Sequence, residues 1–402
     1  MRQAPIYVTG MGIVSALGAD CRSTLMALLT RRSGVGQLRF LQTSHTEFPV
    51  GEVKLTNEAM MRYLDISENE TTTRTSLMGM MAVREALQTA KLTTTAPDFK
   101  QKIALVSGTT VGGMDKSEQY YLDFLSNDTH NEYIATHDCG ACTEMIADYF
   151  GIFSAVDTIS TACSSAANAI LKGAMLLREG RTDIAIVGGC ECITKFHLNG
   201  FNTLMILDRE LCRPFDATRA GLNLGEGAAY LVLETERTAR ERGIEPLCIL
   251  SGFANTCDAY HQTASSPDGE GAYLAMTQAL ASAKLQPDDI SYINAHGTGT
   301  LNNDLTEAHA ISRVFGNRIP PFSSTKAFTG HTTSAAGSIE AVISILALQN
   351  GFIPVNLNFT TPMPELPITP ATDEYARKPL RHVLTNSFGF GGNDTALIFS
   401  AP

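Results

Sequence analysis

Asp157-Thr-Ile-Ser-Thr-Ala-Cys-Ser-Ser-Ala-Ala-Asn-Ala-Ile170 decides how this chain is read. A β-prone run ends at Thr161, and a small-residue, helix-compatible run starts after Cys163. A cysteine at a strand-to-helix turn meets the free amides and the positive end of the helix, which favour thiolate over thiol. Taken alone, Cys163 would more often be a small core residue, since free cysteines are usually buried. Two later segments reverse that balance. Asn294-Ala-His-Gly-Thr-Gly-Thr300 and Ser323-Ser-Thr-Lys-Ala-Phe-Thr-Gly-His331 each place a histidine near a strand end. One cysteine and two histidines on polar, glycine-bearing turns form a covalent acyl-transfer constellation.

Outward from this stretch, strand-like runs such as Ile103-Ala-Leu-Val-Ser107 and Asp183-Ile-Ala-Ile-Val-Gly188 alternate with helix-like ones, Ala169–Arg178 and Glu340–Leu348. That alternation predicts an α/β fold with mostly parallel sheets. A faint internal repeat runs through it. Ser165-Ala-Ala-Asn-Ala-Ile170 matches Ser334-Ala-Ala-Gly-Ser-Ile339, and Val8-Thr-Gly-Met-Gly12 matches Leu250-Ser-Gly-Phe-Ala254. Their shared order predicts two similar halves, residues 1–250 and 251–402, with Cys163 and His331 on equivalent turns facing one site.

The 402 residues carry 30 Lys and Arg against 41 Asp and Glu, a net charge of −11, which argues against a nucleic-acid partner. No apolar run approaches the ~20 residues needed to span a bilayer. The first strand-like run, Ile6–Val14, lacks the charged head and cleavage site of a signal peptide, so a cytoplasmic protein is expected. Nine cysteines without framework spacing fit a reducing compartment, and Cys139-Gly-Ala-Cys142 has no second pair to complete a metal or redox site.

The ordered set of motifs resembles the elongating β-ketoacyl-acyl-carrier-protein synthases of type II fatty-acid synthesis over essentially the whole chain. Its members here are Val8–Gly12, Thr161-Ala-Cys-Ser-Ser165, Arg213-Pro-Phe-Asp216, Gly225-Glu-Gly-Ala228, Cys257-Asp-Ala-Tyr-His261, Asn294–Thr300, Ser323–Lys326, Gly330-His-Thr-Thr-Ser-Ala-Ala-Gly337 and Asn386-Ser-Phe-Gly-Phe-Gly-Gly392. The resemblance implies a thiolase fold, two pseudo-symmetric βαβαβ halves in α-β-α-β-α layers, usually as a homodimer. It implies decarboxylative Claisen condensation of a malonyl-acyl-carrier-protein with an acyl chain held on Cys163, lengthening the chain by two carbons. No cofactor is implied, because both substrates ride on the phosphopantetheine of acyl carrier protein.

Residue by residue, the resemblance gives Cys163 as nucleophile, His296 and His331 as donors to the enolate oxygen, and Lys326 as the organiser of the histidines with Glu340. The amides of Cys163 and Phe390 become the oxyanion donors, and Phe390 also a gate. Thr298 and Thr300 would hold the pantetheine arm, and Val111 would line the acyl pocket. Glu307, Glu340 and Asn386 would support the site, and with Asn294 they match a structural monovalent-cation position. His45, His130, His137, His197, His309 and His382 are read as structural. The chain departs from the pattern in three places. Ser67–Thr75 holds Glu68 and Glu70 where relatives carry a basic docking patch, leaving Arg62, Arg74 and Arg213 as the local cations. Ser107-Gly-Thr-Thr-Val-Gly-Gly113 is a fuller loop than usual. Thr161–Ser165 and His296–Thr300 lean toward polyketide ketosynthases, so a specialised polyketide or polyene pathway is the alternative. A catalytically silent chain-length-factor-like subunit, able to form a heterodimer, is the non-enzyme reading. Retention of Cys163, His296, Lys326 and His331 argues against it. A thiolase would need a second cysteine near the carboxyl terminus, and the last here is Cys257.

Overall fold

The computed structural model describes residues 5–92, 101–127, 129–366, 368–372 and 379–402. The first half contributes β1 (Ile6–Ser15), β2 (Ile103–Gly108), β3 (Ala155–Ile159), β4 (Ile184–Glu191) and β5 (Gly227–Thr235). Its helices are α1 (Cys21–Leu29), α2 (Asn57–Leu64), α3 (Arg74–Thr89), α4 (Met114–Phe124), α5 (Cys139–Phe150), α6 (Ser165–Arg178) and α7 (Lys195–Thr203). A short helix, α8 (Glu236–Glu241), leads into the second half. There the strands are β6 (Cys248–Cys257), β7 (Tyr292–Asn294), β8 (Phe322–Ser323), β9 (His382–Gly389) and β10 (Asn393–Ser400). The accompanying helices are α9 (Glu270–Ala283), α10 (Leu301–Phe315), α11 (Lys326–Thr329) and α12 (Ala336–Asn350).

Among the described residues ten strands hydrogen-bond in the order β3-β2-β4-β5-β1-β6-β10-β9-β7-β8. From each edge inward, both halves run third, second, fourth, fifth and first strand. The faint repeat in sequence is therefore a full repeat in topology. The halves join where β1 pairs antiparallel with β6, Ile6 opposite Leu250 and Val8 opposite Cys248. The residue-250 boundary drawn from sequence thus falls inside β6, which begins the second half. The expectation of mostly parallel pairing also needs correction. β2 is parallel to β3 and β4, and β7 to β8 and β9, but the inner run β4-β5-β1-β6-β10-β9 is antiparallel throughout. In each half the fifth strand returns beside the fourth without a parallel crossover, which reverses its direction.

Helix packing yields the five layers. α3 lies on β1 and β5, and α9 on β6 and β10, as outer layers, while α6 and α12 pack on each other and on strands of both halves. α12 shows why it belongs in the middle: every residue from Ala336 to Leu348 is buried, and only Gln349 and Asn350 are exposed. A helix apolar on all sides is stable only when surrounded. It stops at Gly351, which takes the left-handed conformation (φ 62°) suited to glycine. One continuous core holds Ile170 and Val187 from the first half with Val342, Ile345 and Val383 from the second. Truncating Ile345 to alanine there would cost about 2–5 kcal/mol.

Candidate active site

The site forms where parallel strands end. Cys163 follows β3, His296 follows β7, and Lys326 and His331 follow β8. The Thr161–Ser165 turn is held by its own hydroxyls: Ser165 Oγ accepts from the Thr161 amide (2.9 Å) and donates to the Ala162 carbonyl (2.6 Å), and Ser164 Oγ lies 2.7 Å from the Thr161 carbonyl oxygen. Short hydroxyl side chains favour such local bonds over continued strand. They hold Ala162 at φ 51°, a strained value for a residue with a Cβ, and so aim Cys163 out of the sheet just before α6. Gly389 lies against this turn. A Cβ there would sit 2.7 Å from the Thr161 oxygen and 3.3 Å from the Cys163 amide nitrogen, so only glycine lets the β9–β10 turn approach.

His331 Nε2 is 3.1 Å from Cys163 Sγ, and the His296 and His331 rings meet edge to face with centroids 5.3 Å apart. Lys326 Nζ donates to the His296 carbonyl at 2.6 Å, pairs with Glu340, and stands 3.3 Å from His296 Nδ1. An ammonium has no acceptor, so Nδ1 of His296 accepts and Nε2 carries the proton. Glu307 secures the same loop, accepting from the His296 amide (2.9 Å), the Gly297 amide (2.7 Å) and Asn386 Nδ2 (3.0 Å). Nδ1 of His331 is buried without a partner among the described residues. Orphaned buried N–H groups are rarer than orphaned acceptors, which favours the tautomer protonated at Nε2.

All of these groups are buried, and burial sets their protonation. It pushes the Cys163 thiol up to about 12, outweighing the opposing pull of Lys326. The expectation of a resting thiolate is thus corrected: the helix start offers favourable partial charge, but desolvation is larger. Burial, reinforced by Lys326, holds both histidines well below their usual range, so both are neutral at pH 7. Burial also raises Glu307 and Glu340 to about 7, with Lys326 opposing the rise at Glu340. The buried oxygens Asn294 Oδ1, Glu340 Oε2 and Asn386 Oδ1 have no hydrogen-bond partner among the described residues. Oxygen donors of this kind fit a hard monovalent cation.

A cavity of about 250 Å³ opens from Cys163, His296 and His331 past Thr298, Thr300 and Phe390. Thr298 and Thr300 hydroxyls bond each other at 2.9 Å. Val111 does not line this cavity; its amide is bound 2.8 Å from Glu191. Arg74, expected as a docking cation, is instead buried, with its guanidinium clamped on Glu226 (2.6 Å) and on the Val53 and Leu55 carbonyls. Arg213 is paired with Asp208 at 2.8 Å, while Arg62 is exposed. Cys139 and Cys142 diverge, one donating to the Thr110 carbonyl and the other lying 3.7 Å from Cys190 in the core. Sequence reasoning missed Phe201, whose ring stacks on Phe390 at 5.9 Å, while His197 is structural as expected. The structure buries His197 between Phe201 and Glu191, holding it down to about 4. Spacing of four residues on one helix was the available signal.

Comparison with known proteins decides the family. Residues 3–239 match the beta-ketoacyl synthase N-terminal domain, and residues 247–360 match its C-terminal domain. The chain belongs to the beta-ketoacyl synthase family. Among curated relatives of this synthase, 3-oxoacyl-[acyl-carrier-protein] synthase 2 of Staphylococcus aureus (strain COL) is 30% identical, covering 98% of this chain and 97% of that protein. In three dimensions it is similar to the ishigamide ketosynthase/chain length factor (TM-score 0.92, 28% identity, 100% of both chains). It is also similar to a ketosynthase in complex with its chain length factor from Xenorhabdus doucetiae (TM-score 0.85, 31% identity, 99% of this chain and 98% of that one). These neighbours are thiolase-fold ketosynthases, and the fold expected from sequence is the fold observed. Among the described residues no helix is long and apolar enough to cross a membrane.

Proposed function

We propose that this synthase condenses a malonyl thioester with an acyl chain held on Cys163, both delivered by acyl carrier protein, and so lengthens the chain by two carbons. The observation that carries the reading is the buried contact of Cys163 Sγ with His331 Nε2, with His296 beside it on the same cavity. In the first half-reaction Sγ attacks the acyl carbonyl, the carrier sulfur departs, and the thiol proton passes to that sulfur. Because burial opposes a resting thiolate, negative charge appears on Sγ only transiently, as its proton leaves, where the His331 N–H and the helix start face it. That charge passes to the carbonyl oxygen as the C–S bond forms. In the second, the malonyl C–C bond to its carboxylate breaks, CO2 leaves, and the electron pair moves onto the thioester oxygen as an enolate. Two neutral imidazoles presenting N–H groups suit that oxygen. The enolate carbon then attacks the acyl carbonyl, whose oxygen takes the amides of Cys163 and Phe390. Collapse expels the cysteine sulfur, which takes a proton from solvent.

Lys326 and Glu340 hold His296 in the required tautomer. Asn294, Glu307, Glu340 and Asn386 would hold a monovalent cation, which supplies local charge balance and no bond-making step. The chemistry draws on no resident cofactor. The exposed apolar side chains Tyr121, Leu122, Leu125, Ile134 and Val156, the last on edge strand β3, support a second thiolase-fold subunit as partner, a homodimer in the simplest case. The free cysteines support a reducing, cytoplasmic setting. A polyketide or polyene pathway is the second reading, favoured by the ketosynthase/chain length factor neighbours. Incubating the protein with carrier proteins bearing different acyl chains, followed by intact mass, tests the assignment. The expected result is one acyl group on Cys163, and its absence with every chain would reject covalent acyl transfer.

A further inference from the structure

Asn393 opens β10 directly after the turn that carries Phe390. Its Oδ1 lies 2.7 Å from Ser164 Oγ, 2.7 Å from Asn168 Nδ2 and 2.8 Å from Asn255 Nδ2. Two amide N–H donors, and the Ser164 hydroxyl whose one proton is shared with the Thr161 carbonyl, converge on this oxygen and fix the orientation of the amide. Ser164 follows Cys163 immediately, and Asn168 lies one turn along α6, where its Oδ1 accepts in return from Thr395 Oγ1 at 2.7 Å. Asn255 belongs to β6. One side-chain carbonyl thus ties the start of α6, in the first half, to the β9–β10 turn and β6, in the second. Gly389 seats the other side of that turn against the Thr161 oxygen and the Cys163 amide.

The two amides offered to the tetrahedral oxygen come from different halves of the fold, Cys163 one residue before Ser164 and Phe390 three residues before Asn393. Such donors act only when both lie about 2.7–3.1 Å from the developing oxyanion. Secondary structure within either half cannot set that separation; a cross-tie between the halves can. We infer that Asn393 is a positioning residue that sets the spacing of the Cys163 and Phe390 amides. It is required for acyl transfer and condensation but not for decarboxylation, whose oxygen is held by His296 and His331. The inference rests on the reaction proposed above.

The test uses the full chain as Asn393→Ala and Asn393→Asp, the latter keeping an acceptor oxygen at the same place. Acylation of Cys163 is followed by intact mass against time and acyl-carrier concentration. CO2 release from a malonyl carrier protein is measured with each change placed on Cys163→Gln. Asn393→Ala should lower kcat for acylation about 10²-fold, the size expected for an ~1 Å misplacement. KM and CO2 release should stay within about twofold, a gap well below that catalytic loss. Asn393→Asp should restore most of the acylation rate. Ser164→Ala, which removes one donor and leaves β10 unchanged, should show the same split at smaller amplitude and serves if Asn393→Ala does not fold. Acylation within about twofold of wild type, well short of the loss a misplaced donor causes, would overturn the role. So would parallel loss of acylation and CO2 release, or failure of Asn393→Asp to restore acylation. Wild-type protein that takes no acyl group on Cys163 would remove the reaction itself, a result separable from any effect of Asn393.

Discussion

The loops after β2 and β7 occupy the same place in the two halves and are secured by the same device. After β2, buried Glu191 accepts from the amides of Thr110 and Val111, each at 2.8 Å, and from Thr109 Oγ1 at 3.1 Å. After β7, buried Glu307 accepts from the amides of His296 and Gly297. Burial lifts both carboxyls to about 7. The carboxylates come from different elements, Glu191 from the end of β4 and Glu307 from α10. The two loops thus share an anchoring chemistry rather than an anchoring residue, and only the second loop bears an imidazole facing the nucleophile. Duplication brings equivalent strand ends together, and side chains from both copies supply the chemistry, Cys163 from the first and His296, Lys326 and His331 from the second.

The largest effect expected is at the nucleophile turn of the first half. Cys163→Ala should abolish condensation with the fold intact, because alanine suits a helix start. Cys163→Gln, whose amide resembles an acylated cysteine, should still release CO2 from a malonyl carrier protein. Condensation by purified Cys163→Ala would end the covalent reading.

The paired loops come next. His296→Ala should cut CO2 release by at least about 10²-fold, the usual contribution of a positioned proton-bearing group. Thr110→Ala, at the matching place in the first half, should leave CO2 release unchanged and cost about 1 kcal/mol of stability through the lost hydroxyl bond to Glu191. Equal losses from both variants would mean that the first loop is also part of the chemistry. Lys326→Ala should depress CO2 release more than acylation of Cys163. It should also destabilise the protein by about 3 kcal/mol, because it strands Glu340 in the core. Equal activity in both assays would return Lys326 to a structural role.

The smallest effect is in pH. Because burial and Lys326 hold His296 and His331 below the ordinary value of 6.5, the unfolded chain binds protons below pH 6.5 that the native protein does not. Stability from these groups is therefore present above pH 6.5 and lost as the pH falls. The acid limb of CO2 release by Cys163→Gln should lie below pH 6.5 and move upward in Lys326→Ala, which removes a cation that disfavours the imidazolium. An acid limb unmoved by Lys326→Ala would show that burial alone sets these groups.

What sequence made legible follows the range of each interaction. Cys163, His296, Lys326 and His331 sit in short segments with their own turn chemistry, and the structure brings all four together. Arg74 was read as a surface cation because its partner, Glu226, lies 152 residues away. The thiolate expected at Cys163 failed for a related reason: a helix start is visible locally, whereas the burial that outweighs it is assembled by both halves. Asn393 went unnoticed because its partners are spread over the Ser164 turn, α6 and β6. The antiparallel centre of the sheet was hidden because strand-helix alternation gives no sign of which way a strand returns.

The all-round burial of α12 has a consequence for synthesis. When the first half has left the ribosome, α6 still lacks the helix and the second-half strands that cover it in the finished protein. That face must stay exposed while roughly a further hundred and fifty residues are made, several seconds or more at ~5–20 residues per second. The nascent chain is then an aggregation-prone intermediate awaiting its other half, and a release halfway would yield a client for chaperones rather than an autonomous domain.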